Sequence, residues 1–311
     1  MNKDIAFELA IIVPMYNSSE YVYDCIHSIV SCSGFSSSIL IVIVDDGSTD
    51  GSSNTIQSLL RDNIVLLRKD NGGLSSARNY GLRYAFGCSK YFSFVDSDDT
   101  ITKDYIFEFY NSTRTEPDLV EFNLNKITKS GSSFKKETIT ASANSNGTSS
   151  NFGIKDLISR NSWYAVSRFY HRSIINENLF CEGRRYEDII LLPSLYLKAK
   201  VIYSSSLNLY NYFIRSEGIT QNVRKSDILD IIYANDFFHS KVGNDNLSEF
   251  FKSKLKKQII IMLGSLNYLD IKNIEEEARS FLGASKLEFI GYCAYARFRR
   301  AFSLLIKYIK K

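Results

Sequence analysis

The run Ile39-Leu40-Ile41-Val42-Ile43-Val44 decides the fold of this chain. A continuous apolar run of this length is typical of a strand that is buried on both faces of a parallel sheet. Other apolar segments on either side of it alternate with segments of helical spacing, which predicts an α/β fold. The expected architecture is a doubly wound, mostly parallel central sheet with helices on both faces. The predicted strands are Leu9 to Pro14, Ile39 to Val44, Ile64 to Arg68, Tyr91 to Val95 and Leu119 to Phe122, and the predicted helices are Glu20 to Ser31, Gly51 to Arg61, Leu74 to Phe86 and Lys103 to Ser112.

Acidic turns follow two of these strands. Asp45-Asp46-Gly47-Ser48 follows the run above, and Asp96-Ser97-Asp98-Asp99 follows Tyr91 to Val95. Ordinary turn and helix-cap preferences also explain each turn alone. Two such turns at the carboxyl ends of strands, where ligands of these sheets bind, indicate a site for a nucleotide diphosphate. Asp96 and Asp98 stand two residues apart, so one loop can present both to a Mg²⁺ or Mn²⁺ ion shared with substrate phosphates.

Composition and missing motifs argue against several other classes of protein. The net charge of +4 does not indicate a nucleic-acid-binding protein, and no nucleic acid is expected as a partner. The first strand-helix turn has no glycine and no Walker A sequence occurs, which argues against NAD enzymes and P-loop NTPases. The five cysteines are scattered without a Cys-x-x-Cys pair, as expected of reduced thiols in a cytosolic protein.

The chain is expected to divide near residue 222. Residues 1–222 are predicted to form the main domain, with a nucleotide-binding half at 9–125 and a second, acceptor half at 150–222. Residues 223–311 are predicted to be a helical region whose end, 291–311, carries six Arg and Lys residues and no acidic residue. Such a basic, aromatic helix is typical of a segment on an anionic membrane surface. A helix that packs on the domain and keeps a solvated basic face explains the same composition.

Four motifs in a fixed order give the chain a specific resemblance. They are Val13-Pro14-Met15-Tyr16-Asn17, Val44-Asp45-Asp46-Gly47-Ser48-Thr49-Asp50, Asn71-Gly72-Gly73-Leu74-Ser75-Ser76-Ala77-Arg78-Asn79 and Phe94-Val95-Asp96-Ser97-Asp98-Asp99. Together they resemble the nucleotide-binding half of the family 2 glycosyltransferases, which have the GT-A fold. The resemblance covers residues 9–104, resumes at 180–188 and does not extend into the helical tail.

The resemblance implies how the nucleotide would bind. Pro14 and Tyr16 would line the base pocket, and Asp46 would accept a hydrogen bond from the base. Gly73 would let the backbone approach the ligand closely at the start of a helix whose positive end favours anions. Arg78, one turn into that helix, would donate a charged hydrogen bond to base or phosphate.

The second acidic turn would hold the metal ion. By the same resemblance Asp98 is the direct ligand of Mn²⁺ or Mg²⁺, and Asp96 contacts the ribose or the metal's waters. Asp99 is either a further ligand or a cap for the next helix. The cation would neutralise the charge that builds up on the leaving diphosphate.

Apart from the two acidic turns, the acidic pair Glu187-Asp188 matches the catalytic acids of the family. Inverting sugar transfer needs one general base to remove the proton of the acceptor hydroxyl. Asp188 is the expected base and Glu187 the alternative, although acids at a helix start are commonplace. Arg215 follows a predicted strand and would grip the diphosphate, unless it is an ordinary solvated arginine.

The implied activity is metal-dependent, inverting transfer of a sugar from a nucleotide-diphosphate donor. The expected donor is a UDP-sugar. The implied acceptor is a glycan or a lipid-linked oligosaccharide of bacterial surface polysaccharide, such as O-antigen or capsule. The expected location is the cytoplasm, at the inner face of the membrane. Two alternatives remain open: a sugar nucleotidyltransferase, and a catalytically inactive nucleotide-binding subunit of a polysaccharide-synthesis complex.

Overall fold

The computed structural model describes residues 5–130, 133–141, 147–149, 153–215 and 222–309. It divides into two compact units, Met1–Gly183 with Leu191–Ile214, and Arg184–Ile190 with Arg215–Lys311. The strands are β1 (Phe7–Met15), β2 (Ile39–Asp45), β3 (Ile64–Arg68), β4 (Ser89–Phe94), β5 (Thr100–Ile101), β6 (Leu119–Ser130), β7 (Ser133–Ile139), β8 (Gly147–Ser149), β9 (Arg168–His171) and β10 (Ile202–Ile214). The helices are α1 (Val22–Val30), α2 (Ser52–Thr55), α3 (Leu74–Ala85), α4 (Tyr105–Ser112), α5 (Ile154–Arg160), α6 (Glu187–Lys198), α7 (Lys225–Val242), α8 (Asn246–Leu263), α9 (Tyr268–Asn273), α10 (Glu275–Leu282) and α11 (Lys286–Ile309).

The first unit is built on one sheet with the order β3-β2-β1-β4-β9-β6-β10-β5, to which β7 adds beside β6 and β8 beside β10. Neighbours from β3 to β4 pair in parallel, as do β6 and β10. Strand β9 is antiparallel to both of its neighbours. The α/β class and the parallel nucleotide half are therefore confirmed, within a sheet that is mixed overall. Because β2, β1 and β4 are adjacent and parallel, the loops that follow them meet at one edge.

Helices cover both faces of this sheet, as predicted. In β4, Phe92 stacks with Phe86 just beyond α3, whereas its neighbour Tyr91 packs edge-on against Phe109 of α4. Successive side chains of a strand point to opposite faces, so α3 and α4 lie on opposite sides. Helix α3 approaches the sheet closely at Gly81, where a Cβ atom would lie 2.6 Å from a methyl carbon of Ile12.

The segment after the first acidic turn is less helical than predicted. A helix was expected from Gly51 to Arg61, but α2 covers only Ser52–Thr55, and a short 3₁₀ turn follows at Gln57–Leu59. The composition explains the difference, because Ser, Asn and Thr hydrogen-bond to nearby backbone and compete with helix formation.

The second unit contains helices α7 to α11 and its own apolar core. Phe238 of α7 packs on Phe251 of α8, with ring centroids 4.6 Å apart. Helix α11 packs through Phe289 and Ala296, which are buried. Its opposite face carries exposed apolar side chains, namely Leu287, Ile290, Tyr295, Phe298 and Phe302. In the described part of the chain, none of the helices combines the length and hydropathy needed to cross a bilayer.

Candidate active site

The loops after β1, β2 and β4 are joined into one surface by short polar contacts. The hydroxyls of Ser18 and Ser97 lie 2.7 Å apart, which joins the loop after β1 to the loop after β4. The backbone N–H of Asn17 donates to the hydroxyl of Ser48 at 3.0 Å, which joins the loop after β1 to the loop after β2. The two predicted acidic turns therefore lie on one continuous surface, as expected from the strand order.

Asp45 has a structural role in the first acidic turn. Its side chain is fully buried and accepts from the backbone N–H of Ser48 at 2.7 Å and from the hydroxyl of Ser53. Burial alone would raise the pKa of Asp45, but the hydrogen bonds from Ser53 and Ser48 hold it below its usual range. The turn is thus fixed by a charged side chain that no ligand needs to contact.

Asp46 is bound by the glycine loop that precedes α3. Its Oδ1 accepts from Lys69 Nζ at 2.6 Å, and its Oδ2 accepts from the backbone N–H of Gly73 at 2.7 Å. The N–H of Gly72 lies within 3.2 Å of both oxygens. The anion next to the amino end of α3 is therefore a carboxylate of the protein itself. The assignment of Asp46 to the base stays a prediction, and it requires the base to share or replace these donors.

Gly73 is required by the backbone at this point. Its φ of 87° and ψ of 173° lie in a region that only glycine occupies readily. This conformation turns the N–H of Gly73 toward Asp46 and starts α3 at the next residue. The loop is thus set by a residue that a side chain would strain.

The remaining residues assigned to the base pocket differ in exposure. Pro14 is buried near the end of β1. Tyr16 is 52% exposed in the loop directly after that strand. Their contact with a base is a prediction that the exposed ring of Tyr16 permits.

In the second acidic turn, Asp96 is paired with Arg78. Nη2 of Arg78 donates to Oδ1 of Asp96 at 2.8 Å, and only 2% of the Arg78 side chain is exposed. The guanidinium also lies 5.0 Å from the ring centroid of Phe180 and 5.9 Å from that of Phe94. Arg78 was predicted to reach base or phosphate, but its guanidinium here is enclosed by these two rings and Asp96.

Asp99 is turned inward. It is 1% exposed, and its two oxygens accept from the hydroxyl of Tyr210 at 2.8 Å and from the backbone N–H of Phe213 at 2.8 Å. The Tyr210 oxygen in turn accepts from the backbone N–H of Asp96 at 3.1 Å. Burial, and after it the charges of Asp98 and Asp96, raise the pKa of Asp99 well above its usual range.

The second acidic turn suits a divalent cation whose remaining coordination positions are filled by a substrate. Asp96 and Asp98 are partly exposed, whereas Asp99 is buried and uses both oxygens in hydrogen bonds. Within the described ranges, no three His, Cys, Asp or Glu side chains are grouped as a complete metal site. Mg²⁺ and Mn²⁺ are commonly held by one or two carboxylates together with waters and substrate phosphates. The geometry thus favours Asp96 and Asp98 over Asp99 as ligands, and this choice of ligands stays a prediction.

Glu187, Asp188 and Arg215 belong to the second unit. Glu187 is 8% exposed and begins α6, with Asp188 next to it. Tyr186, immediately before them, has a φ of 60°, which is unusual for a residue with a side chain. Their roles as base and diphosphate ligand stay predictions.

Sequence reasoning missed three residues that shape the site. Lys69 follows β3 directly. Because ligands of such sheets bind at the carboxyl ends of the strands, its position could have identified it. Asn79, inside α3, exchanges two hydrogen bonds of 2.9 Å with the backbone of Phe180 and donates to Glu182 at 3.0 Å. Tyr210 comes from the middle of β10, where no sequence signal distinguishes it from a core tyrosine.

The sequence and the fold both match known glycosyltransferases. The model of glycosyl transferase family 2 matches residues 10–177. The chain is 26% identical over 289 residues to glycosyltransferase GlyG of Streptococcus pneumoniae serotype 4, covering 86% of this chain and 92% of GlyG. It is 26% identical over 260 residues to a poly(ribitol-phosphate) beta-glucosyltransferase of Bacillus spizizenii, covering 80% of this chain and 39% of that protein. It is also 27% identical over 292 residues to the minor teichoic acid biosynthesis protein GgaB of Bacillus subtilis, covering 88% of this chain and 30% of GgaB.

A solved structure has the same fold. The S. aureus TarS fragment 1–349 in complex with UDP-GlcNAc superposes with a TM-score of 0.63 at 16% identity, covering 95% of this chain and 92% of that one. The family match extends over more than half of the chain and contains both acidic turns and the glycine loop. By sequence, strand order and the arrangement of these loops, the chain belongs to glycosyl transferase family 2.

Proposed function

We propose that this protein transfers a sugar from a UDP-sugar to a hydroxyl group of a bacterial surface glycopolymer, with inversion at the sugar carbon. One observation carries the proposal: the partly exposed carboxylates of Asp96 and Asp98 lie on a loop joined to the loops after β1 and β2. This is the edge of the sheet at which nucleotides bind in such folds. The UDP-GlcNAc complex of TarS and the teichoic acid relatives support the choice of donor and acceptor class.

The first unit would hold the donor. The base would bind beside Tyr16, Pro14 and Asp46, and the ribose and diphosphate would extend toward Asp96. A Mn²⁺ or Mg²⁺ ion held by Asp98 and Asp96 would supply a Lewis acid for the leaving diphosphate. Arg78 holds Asp96 in place through its 2.8 Å hydrogen bond.

The general base would come from the start of α6. Asp188, with Glu187 as the alternative, would take the proton of the acceptor hydroxyl while UDP leaves from the opposite face of the sugar. Arg215 would neutralise charge on the departing diphosphate. These assignments rest on the family motif at positions 180–188 and on the start of α6 at Glu187.

Product analysis with a set of donors tests the proposal. The purified protein is incubated with UDP-glucose, UDP-galactose and their N-acetyl forms, together with polyol-phosphate polymers or lipid-linked oligosaccharides. Release of UDP that depends on acceptor, and that is lost in Asp188→Asn while UDP still binds, supports transfer. Release of inorganic diphosphate would instead identify a nucleotidyltransferase, and UDP binding without turnover of any donor would identify an inactive subunit.

Helix α11 supports a location at an anionic membrane surface. Phe298 is 71% exposed and Phe302 is 54% exposed, and Arg297, Arg299 and Arg300 are exposed beside them. An exposed aromatic face with basic neighbours, in a stretch (291–311) without acidic residues, complements anionic lipid headgroups. The double variant Phe298→Ser/Phe302→Ser should lose binding to phosphatidylglycerol vesicles, whereas Phe107→Ser, which changes a 57% exposed phenylalanine of α4, should not. Vesicle binding unchanged by the double variant would refute this part of the proposal.

A further inference from the structure

The segment Arg184–Ile190, which carries the predicted base, groups with the C-terminal helices and not with the sheet. The domain boundary predicted near residue 222 would place this segment and the C-terminal helices in different domains. In the structure, however, the segment contacts α7. Side chains on one face of α7 make these contacts, at Asp227, Asp230 and Tyr233. Spacings of three residues place these side chains on the same side of a helix.

Asp230 holds two consecutive residues at once. Its Oδ1 accepts from Nη1 of Arg184 at 2.8 Å, and its Oδ2 accepts from the backbone N–H of Arg185 at 3.0 Å. The Asp230 side chain is 11% exposed, so this contact is largely shielded from water. A carboxylate that accepts from a guanidinium and from a backbone amide fixes the direction of the chain at that point.

Two further contacts flank this one. The guanidinium of Arg184 lies 3.7 Å from the ring centroid of Tyr233. Nη1 of Arg185 lies 3.3 Å from Oδ1 of Asp227, whose side chain is fully buried. Two arginines that precede the acidic pair and two aspartates of α7 thus form a cluster with equal numbers of basic and acidic side chains.

The backbone shows why such a cluster is needed. Tyr186, between Arg185 and Glu187, has a φ of 60°. Residues with side chains occupy this conformation only when surrounding contacts determine it. Residue 187 is the first of α6, so the strained residue sets the direction in which the helix and its acidic pair begin.

We propose that Asp230 is a positioning residue for the transfer reaction, acting through Arg184 and Arg185 to orient the start of α6. The inference rests on the proposed function, because it requires Asp188 or Glu187 to act as the base. It assigns the C-terminal helices a part in catalysis that is separate from any membrane contact of α11.

The variant Asp230→Asn tests the proposal, since it keeps the size of the side chain and removes its charge. We expect kcat to fall about tenfold, because small displacements of a catalytic group cost this much or more, while KM for the donor and the affinity for UDP stay within about twofold. Arg184→Gln should lower kcat similarly, and the double variant should be no slower than the slower single one, because both act through the same contact. The matched control is Glu275→Gln, which removes the 3.6 Å ion pair with Arg279 elsewhere in the same unit and should leave kcat unchanged.

The outcomes separate this inference from the proposed function. If the wild type transfers sugar and both Asp230→Asn and Arg184→Gln retain its kcat, the positioning role is wrong and the proposed function stands. A fall in kcat that Glu275→Gln reproduces would also overturn it, because the effect would then be a general loss of stability. A wild type that releases no UDP from any donor would remove both claims. Should Asp230→Asn fail to fold, as judged by circular dichroism, the kcat of Arg184→Gln decides.

Discussion

Arg78 donates to Asp96 at 2.8 Å from a position that is almost completely buried, so one carboxylate of the second acidic turn is held by a cation that solvent does not reach. Replacing Arg78 with Gln should lower the free energy of unfolding by about 1–3 kcal/mol, because a hydrogen bond to a charged group is lost. Urea unfolding measures this. The control Arg83→Gln, at an exposed position of the same helix, should change stability by less than about 0.5 kcal/mol. Equal effects of the two variants would contradict the account of Arg78.

Tyr210 connects both ends of the acidic turn, since its hydroxyl contacts the backbone N–H of Asp96 and the carboxylate of Asp99. On the proposal that Asp98 and Asp96 hold a divalent cation, Tyr210→Phe should weaken the metal-dependent part of UDP binding by about tenfold, as removal of outer-shell contacts does at metal sites. UDP affinity without metal should not change. Tyr170→Phe is the matched control, because that buried hydroxyl donates to the carbonyl of Ala165 at 2.8 Å, away from the turn. Calorimetry that finds the two variants alike would refute the role of Tyr210.

Gly73 has a backbone conformation that a Cβ atom would strain, although nothing lies within 4 Å of where that atom would be. Gly73→Ala should therefore cost about 1–3 kcal/mol through the backbone alone. It should also weaken UDP binding, because the hydrogen bonds between the glycine loop and Asp46 would shift. Gly153→Ala is the control: Gly153 also precedes a helix and has free space, but its φ is −138°. Thermal unfolding of both variants checks the prediction, which fails if Gly153→Ala is the more damaging.

Asp50 gives a pH-dependent prediction. Desolvation of the carboxyl group would raise the pKa of Asp50, but hydrogen bonds from Ser52 and Ser19 hold this pKa at about 2. Since this value lies below that of the unfolded chain, about 3.9, the ionised form stabilises the fold above pH 4, and this contribution is lost as pH falls toward 2. The stability difference between wild type and Asp50→Asn should thus shrink as pH is lowered through this window. A difference that is constant with pH would show that Asp50 is not stabilised in this way.

The strands of the nucleotide half and the acidic turns that follow them were predictable because they depend on local signals. A run in which every residue is apolar, such as Ile39 to Val44, is typical of a strand covered on both faces. Because Asp46 and Asp96 follow such strands, both are then expected at the same edge of the sheet. The partners of these side chains were not predictable. Tyr210 reaches Asp99 across 111 residues, and Asp230 reaches Arg184 across 46. Contacts over such separations leave no trace in periodicity or composition, so the inward orientation of Asp99 and the attachment of residues 184–190 to α7 required the structure.

The central claim is that this edge of the sheet binds a UDP-sugar through a divalent cation held by Asp98 and Asp96. The most direct test is calorimetric titration of UDP with and without Mn²⁺, on the wild type, on Asp98→Asn and on Asp104→Asn, an exposed aspartate just before α4 that serves as control. We predict that Mn²⁺ strengthens UDP binding by the wild type and by Asp104→Asn, and that this gain is lost in Asp98→Asn. Binding of UDP that is equally tight in all three proteins, with or without Mn²⁺, would contradict the claim.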